Sequence, residues 1–405
     1  MVYTGGSVLY VGPIIDGILG GNELLTSVYT AYMADVTSVD NISINTAGFG
    51  VASSLTAMVM PMVGPFLVAS TGDRLLPFKI GLVLQILLAV FVGVIVPESL
   101  SVEAREHHVK VAAAEHAEQE RLEAHDSHDS TCHQRFGRRI QRLRKQVMRH
   151  ILAPLDALSV FMPKPFQDGR PGRDWNLFCI AAIVFLVTLS REEGPEIHYT
   201  IFAFGWGQGE LGRRMSLLST WRTVTVLSII PFYRFVLKPW LARRMARRSV
   251  SAEETPLLLP PDAADDDASP EHDMTETRAK ARADLGFLGT SLLVEMLGYL
   301  TMGVNAGGSV WQYAIGKAGA IAGSQGTLVI EPLLLELGPK EQAAGRLFGA
   351  SAVVSTIGGT FFNSLLFNSV LWATIGSYAP ALFLVAALLY LLALVFVAGI
   401  RAPKA

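Results

Sequence analysis

The charged residues of this chain are gathered into two stretches, and that segregation restricts what the chain can become. Residues 101–174 and 237–284, 122 positions in all, hold 42 of the 68 Asp, Glu, Lys and Arg, which leaves 26 for the other 283. A bilayer crossing takes roughly 20 mainly apolar residues at 1.5 Å rise. Nine blocks meet that length: 5–34, 46–70, 76–96, 176–203, 213–236, 285–304, 309–336, 345–371 and 378–400. Soluble domains carry about 25% charged residues; this chain carries 17% against 51% hydrophobic. One soluble globule and a disordered chain are both excluded, and no block alternates like a barrel strand. The expected fold class is all-α, a polytopic membrane protein built as a helical bundle with nine transmembrane helices.

Of the 33 Lys and Arg, 13 lie in 101–174 and 8 in 237–284, so the positive-inside rule predicts that both loops are cytoplasmic. Three regions follow: 1–100 with three helices, a cytoplasmic central loop over 101–174, and a six-helix bundle over 175–405 interrupted by the loop 237–284. Counting outward, the N-terminus falls on the far side, without the basic n-region of a signal peptide. The net charge of −2 gives no reason to expect a nucleic-acid partner. Two cysteines, Cys132 and Cys179, make neither a disulfide framework nor a cysteine-based metal site.

The order of motifs is similar to that of spans four to twelve of a major facilitator superfamily transporter, in the fungal branch related to proton-coupled folate and tetracycline-type carriers. The residues that carry the likeness are Gly20-Gly21 followed by Tyr32-Met33-Ala34-Asp35-Val36-Thr37, then Pro97-Glu98-Ser99-Leu100 before the central loop. Phe204-Gly205-Trp206 resembles the approach to the family's eighth helix, and Gly345-Arg346-Leu347-Phe348-Gly349-Ala350 the start of its eleventh. The resemblance implies two six-helix halves that rock about a central cavity, with the family's first three helices and their Gly/Asp/Arg loop absent here. It implies transport of a small solute by alternating access, with protons as a candidate co-substrate. The alternative is a transport-incompetent receptor or scaffold, or a truncated product.

An ionisable side chain at bilayer depth costs at least about 2.5–3.5 kcal/mol on insertion scales, so each should face a cavity or a partner. In the first block Asp16, Gly20, Glu23, Ser27 and Thr30 recur at steps of four and three, which places them on one helical face. In a transporter this face lines the pathway, and a desolvated carboxylate there exchanges protons; the alternative, with the family's first three helices missing, is that it lies near a frayed end or packs on an absent partner. The fourth block contains Arg191-Glu192-Glu193-Gly194-Pro195-Glu196-Ile197-His198-Tyr199. Either the helix stops near Ser190 and the run is a solvated outer loop, or it breaks at Gly194-Pro195 and continues. The resemblance favours the second placement, which makes Glu192, Glu193 and His198 coupling or gating candidates.

Arg222 and Glu295 are single charges in the fifth and sixth blocks, expected to pair with each other or with an earlier acid. Lys317 and Gln325 share the seventh block, which the resemblance places along the cavity; a cation there suits an anionic substrate or neutralises Glu295. Arg213 and Arg214 open a helix and read as interfacial anchors. Gly358-Gly359 and the repeated Phe-Asn-Ser of 362–364 and 367–369 suggest close packing with amide hydrogen bonds.

The central loop holds seven of the nine histidines, but their spacing matches no standard zinc site, so a solvated linker is expected and no metal or cofactor. A basic helical face from Arg138 to Arg149 suits anionic headgroups, and the acidic, proline-rich part of 237–284 reads as disordered. There is no nucleophile elbow, phosphate loop or His-Glu-x-x-His, so the chain is not expected to be an enzyme. The expected partners are a small-molecule solute and the lipid bilayer, in a plasma or vacuolar membrane.

Overall fold

A computed structural model of the chain describes residues 39–96, 157–165, 173–191, 193–241, 270–305, 307–338 and 344–400, together with Thr26, Val28, Tyr29, Tyr32, Met33, Val36, Thr37 and Lys110. Eleven α-helices account for about three quarters of these residues: α1 (Val39–Thr71), α2 (Leu76–Val94), α3 (Asn176–Leu189), α4 (Glu193–Phe204), α5 (Gln208–Phe232), α6 (Pro270–Gly303), α7 (Val310–Gly323), α8 (Ile330–Leu337), α9 (Ala344–Thr356), α10 (Asn363–Thr374) and α11 (Ala381–Gly399). The described strands are a two-residue antiparallel pair, with Lys164 opposite Asp174 and Pro165 opposite Arg173.

Seven segments among the described residues are long and apolar enough to cross a membrane: Gly48–Thr71, Leu76–Val94, Gly209–Leu241, Ala281–Gly303, Val310–Leu337, Leu347–Thr374 and Ala381–Gly399. The chain is a helical, multi-pass membrane protein. The difference from nine has two sources. The block 5–34 lies outside the described residues apart from Thr26, Val28, Tyr29, Tyr32 and Met33. The block 176–203 is two short helices, α3 and α4, with a break between them.

Three longer segments are continuous in space but not in regularity. A π-helical turn, Tyr233–Leu237, extends α5; a 3₁₀ segment, Ser324–Val329, joins α7 to α8; and a second π turn, Ile357–Phe362, joins α9 to α10. Such local departures are frequent at functional sites and at strained packing positions. The loop expected over 237–284 is shorter than its composition suggests, because α6 starts at Pro270.

The core lies among α3, α6, α7 and α11. Leu382, Phe383, Ala386, Tyr390 and Ala393 are buried, and their steps of one, three and four draw a stripe down α11 that packs on α6 and α3. Lipid tails are as apolar as leucine, so helices inside a bilayer associate through close packing and polar contacts rather than through the hydrophobic effect. The crossing of α6 on α7 shows this directly. A Cβ added at Gly316 would fall 2.6 Å from Met302 Cγ and 2.7 Å from Gly298 O, so only glycine lets the two backbones meet there. Gly358 likewise lies against Thr188 and Phe185, and the neighbouring Asn363 amide donates to Leu189 O at 2.8 Å and to Arg191 O. Those two carbonyls flank the break after α3, and the amide satisfies them from another helix.

The first two helices are arranged differently. α1 packs along α5 and touches α8, while α2 contacts α1 and buries none of its residues. A helix apolar on all sides with nothing buried presents its surface to lipid.

Candidate functional site: a buried ion cluster at a broken helix

α3 ends at Leu189 with Ser190 as its C-cap and α4 starts at Glu193, so the break comes earlier than Gly194-Pro195. Ser190 closes α3 through its amide and hydroxyl, both donating to Leu186 O. Pro195 then stands in the first turn of α4, where its missing N–H would have had no intrahelical acceptor in any case. The dipeptide that reads as a breaker therefore starts a helix instead of interrupting one.

One turn into α4, Glu196 is buried. Its carboxylate takes three partners from two other helices. Oε1 accepts from Arg214 Nη2 on α5 and from the Tyr313 hydroxyl on α7. Oε2 accepts from Lys317 Nζ on α7 at 2.8 Å. The Tyr313 hydroxyl also accepts from Arg214 Nη2, and Arg214 Nη1 reaches Thr200 Oγ1 at 3.4 Å. The three ionised side chains retain 5%, 9% and 12% of their exposure, for Glu196, Arg214 and Lys317. The spacings explain the convergence: Glu196 and Thr200 lie four apart on α4, and Tyr313 and Lys317 four apart on α7, so each pair shares a face.

Aromatic rings enclose the ions. The Arg214 guanidinium lies over Trp206 at 5.5 Å and Tyr313 at 5.0 Å from the ring centroids. Trp206 reaches this position through the turn at Gly205, whose φ of +65° suits a residue without Cβ. Tyr199 meets Phe204 and Phe383 edge-on and Tyr313 at a tilt. Lys317 Nζ stands 5.8 Å over the Tyr299 ring, which stacks on Tyr390 at 5.2 Å. The Tyr390 hydroxyl donates to Glu295 Oε1 at 2.7 Å, so the second buried carboxylate is linked to the first through stacked rings. Buried charges need such partners because their hydration cannot otherwise be replaced.

Of the residues singled out from sequence, Lys317 is in the cluster, and its 2.8 Å partner is Glu196. Glu295 is buried nearby, while Arg222 lies on the exposed side of α5. Gln325 is buried and its Nε2 donates to Ile321 O at 3.0 Å and lies 3.4 Å from Thr225 Oγ1, stitching the 3₁₀ segment to α5. His198 is exposed, one ring nitrogen 3.0 Å from Gly194 O. Asp16, Glu23, Thr30 and Glu192 lie outside the described residues, as does the side chain of Glu193.

Arg213 and Arg214 part company: Arg213 is an exposed partner of Glu210 at 3.7 Å, whereas Arg214 is buried in the cluster. Glu196, Arg214 and Tyr313 are the residues that sequence reasoning passed over. The available signal was the four-residue spacing of Glu196 with Thr200 behind Pro195.

A second buried ion group sits at the opposite end of α5. Asp284 accepts from the Tyr233 hydroxyl and from Lys238 Nζ, the latter at 2.8 Å, and Tyr233 stacks on Phe287 at 4.0 Å. No family model matches this chain, and no curated protein matches its sequence.

Proposed function

We propose that the chain is a transmembrane transporter that moves a small solute by alternating access, in the manner of the major facilitator carriers it resembles. The observation that carries this reading is the Glu196–Arg214–Lys317 cluster beside a broken helix. Ionised side chains inside apolar bundles are expensive, and in membrane proteins they mark substrate and ion pathways. Irregular backbone at membrane depth is tolerated where protein or a water-filled cavity surrounds it, and secondary transporters place their sites at discontinuous helices. In this reading protons are a co-substrate, carried by Glu196 together with Asp16 and Glu23 on the first block.

The test is uptake by the full chain in proteoliposomes, using labelled sugars, amino acids and carboxylates with and without an inward proton gradient. Saturable uptake of one class is expected, driven by acidification and reduced in Asp16→Asn, Glu23→Gln or Glu196→Gln. Equal acid-driven uptake in all three variants would remove these carboxylates from proton coupling. No uptake above empty liposomes would turn the reading to a receptor or scaffold, which the uncovered apolar surface of α2 favours.

A further inference from the structure

The Glu196 carboxylate is shared out thinly. Carboxylates bind arginine best through two parallel hydrogen bonds on one edge of the guanidinium fork. Here Glu196 takes only the Nη2 corner of Arg214 and gives its other oxygen to Lys317. Arg214 Nε, on the same edge, is buried and has no hydrogen-bond partner among the described residues, although the side chain is nine-tenths buried. An unsatisfied donor on a buried cation is costly. It is also the missing half of a carboxylate site.

Resting on the reading of this cluster as the substrate pathway, we infer that Arg214 is the anchor of an organic monocarboxylate and that Glu196 occupies part of the place the ligand takes. A ligand carboxylate that bonds Nε and Nη2 together displaces Glu196 from Arg214 and leaves it on Lys317. The walls decide the rest of the ligand. Trp206 and Tyr313 present their rings to the guanidinium, and Phe204 and Tyr199 pack behind them, which favours a flat apolar body over a small inorganic ion. Thr200 and the Tyr313 hydroxyl complete the polar rim.

The probe is benzoate, compared with the isosteric neutral benzamide and the cation benzylammonium, added to the full chain in detergent. Thermal unfolding and tryptophan emission are the readouts. Benzoate is expected to raise the unfolding temperature saturably and to quench emission, with benzamide and benzylammonium without effect. Trp206→Phe keeps the thermal shift and loses the quench. Glu196→Gln removes the internal competitor and binds benzoate about tenfold tighter, the value of one charge-assisted hydrogen bond. Arg214→Lys keeps the charge, removes the fork and binds at least about tenfold weaker.

Benzoate acting no more strongly than benzamide on the wild-type chain overturns the inference, whether or not the variants fold. So does a folded Glu196→Gln that binds benzoate no better than wild type. Benzoate binding without uptake of any solute into proteoliposomes retains the carboxylate site and removes the transport reading. Saturable uptake of other solutes without selective benzoate binding does the reverse.

Discussion

At one end of α5 a single carboxylate, Glu196, holds two cations and a phenol; at the other, Asp284 holds one cation and a phenol. The Glu196 group is assembled from three helices around a break, and rings close it off. The Asp284 group joins the π turn after α5 to α6, and its cation, Lys238, remains about a fifth exposed. A partly solvated lysine keeps much of its hydration, so the Asp284 pair is a tie between two helix ends. Arg214 and Lys317 have given up most of theirs, so they depend on Glu196 or on whatever replaces it. The difference separates an ion group that holds a junction from one whose members can be exchanged.

Four variants probe that difference, and a fifth, in the open, sets its lower bound. Glu196→Ala leaves two buried cations without their shared carboxylate and is expected to cost about 3–5 kcal/mol in denaturant unfolding in detergent. Replacing Glu196, Arg214 and Lys317 together by Leu, Met and Met should cost less than the single change. An equal or greater loss would mean that the cluster, despite its burial, is a net stabilising element like the Asp284 pair.

Gly316→Ala comes next, at about 1–3 kcal/mol by the same unfolding measurement, because the added methyl meets Met302 and the Gly298 backbone. Gly316 is flanked on α7 by Tyr313 and Lys317, so this variant should also lower the affinity for benzoate. Unchanged stability would show that the α6–α7 crossing does not position the cluster.

Tyr233→Phe removes one hydrogen bond to Asp284 and keeps the ring stack on Phe287, so about 0.5–1.5 kcal/mol is expected. A loss as large as that of Glu196→Ala would erase the contrast between the two ends. The smallest effect belongs to the turn between α1 and α2, where Asp73 pairs with Lys79 at 2.7 Å in the open. The Lys79 ammonium, followed by the Leu75 N–H, holds the Asp73 carboxyl below its ordinary value of 3.8. Its contribution is therefore complete above that value and disappears as pH falls through the lower folded-state value. Asp73→Asn should leave the unfolding temperature near neutral pH almost unchanged and flatten only the acid limb of the stability profile.

The membrane blocks were legible because their signal is local. Charge-poor runs at 46–70, 76–96, 213–236, 285–304, 309–336, 345–371 and 378–400 match the observed segments to within a few residues. The block 176–203 left two placements open, a helix that stops near Ser190 or one broken at Gly194-Pro195, because hydropathy averages over a window, whereas a helix end depends on which carbonyls find donors. α3 ends at Leu189, with Ser190 as its cap. Asn363, far away in the chain, supplies those donors. Gly194-Pro195 misled for a related reason: proline breaks a helix interior but suits a first turn, and only the start at Glu193 decides which applies.

Site residues were legible as residue types more than as partners. Lys317 stood out because it is a lone cation in an apolar block, but periodicity cannot tell Glu196 from Glu295 as its partner, since each lies on a different helix. Arg214 looked like its neighbour Arg213, and a rotation of 100° per residue on α5 sends one outward and the other into the core.

By itself, the sequence determined that this protein is helical and built to live in a bilayer, because burying so few charges over so many apolar residues leaves the backbone no other way to satisfy its hydrogen bonds. Only the tertiary structure decided which acid meets which base. That choice is made by helix crossings at Gly298 and Gly316, by an amide from α10 that caps the break after α3, and by a turn at Gly205 that lays Trp206 over Arg214. Each brings together groups distant in sequence, whose separation no local pattern records.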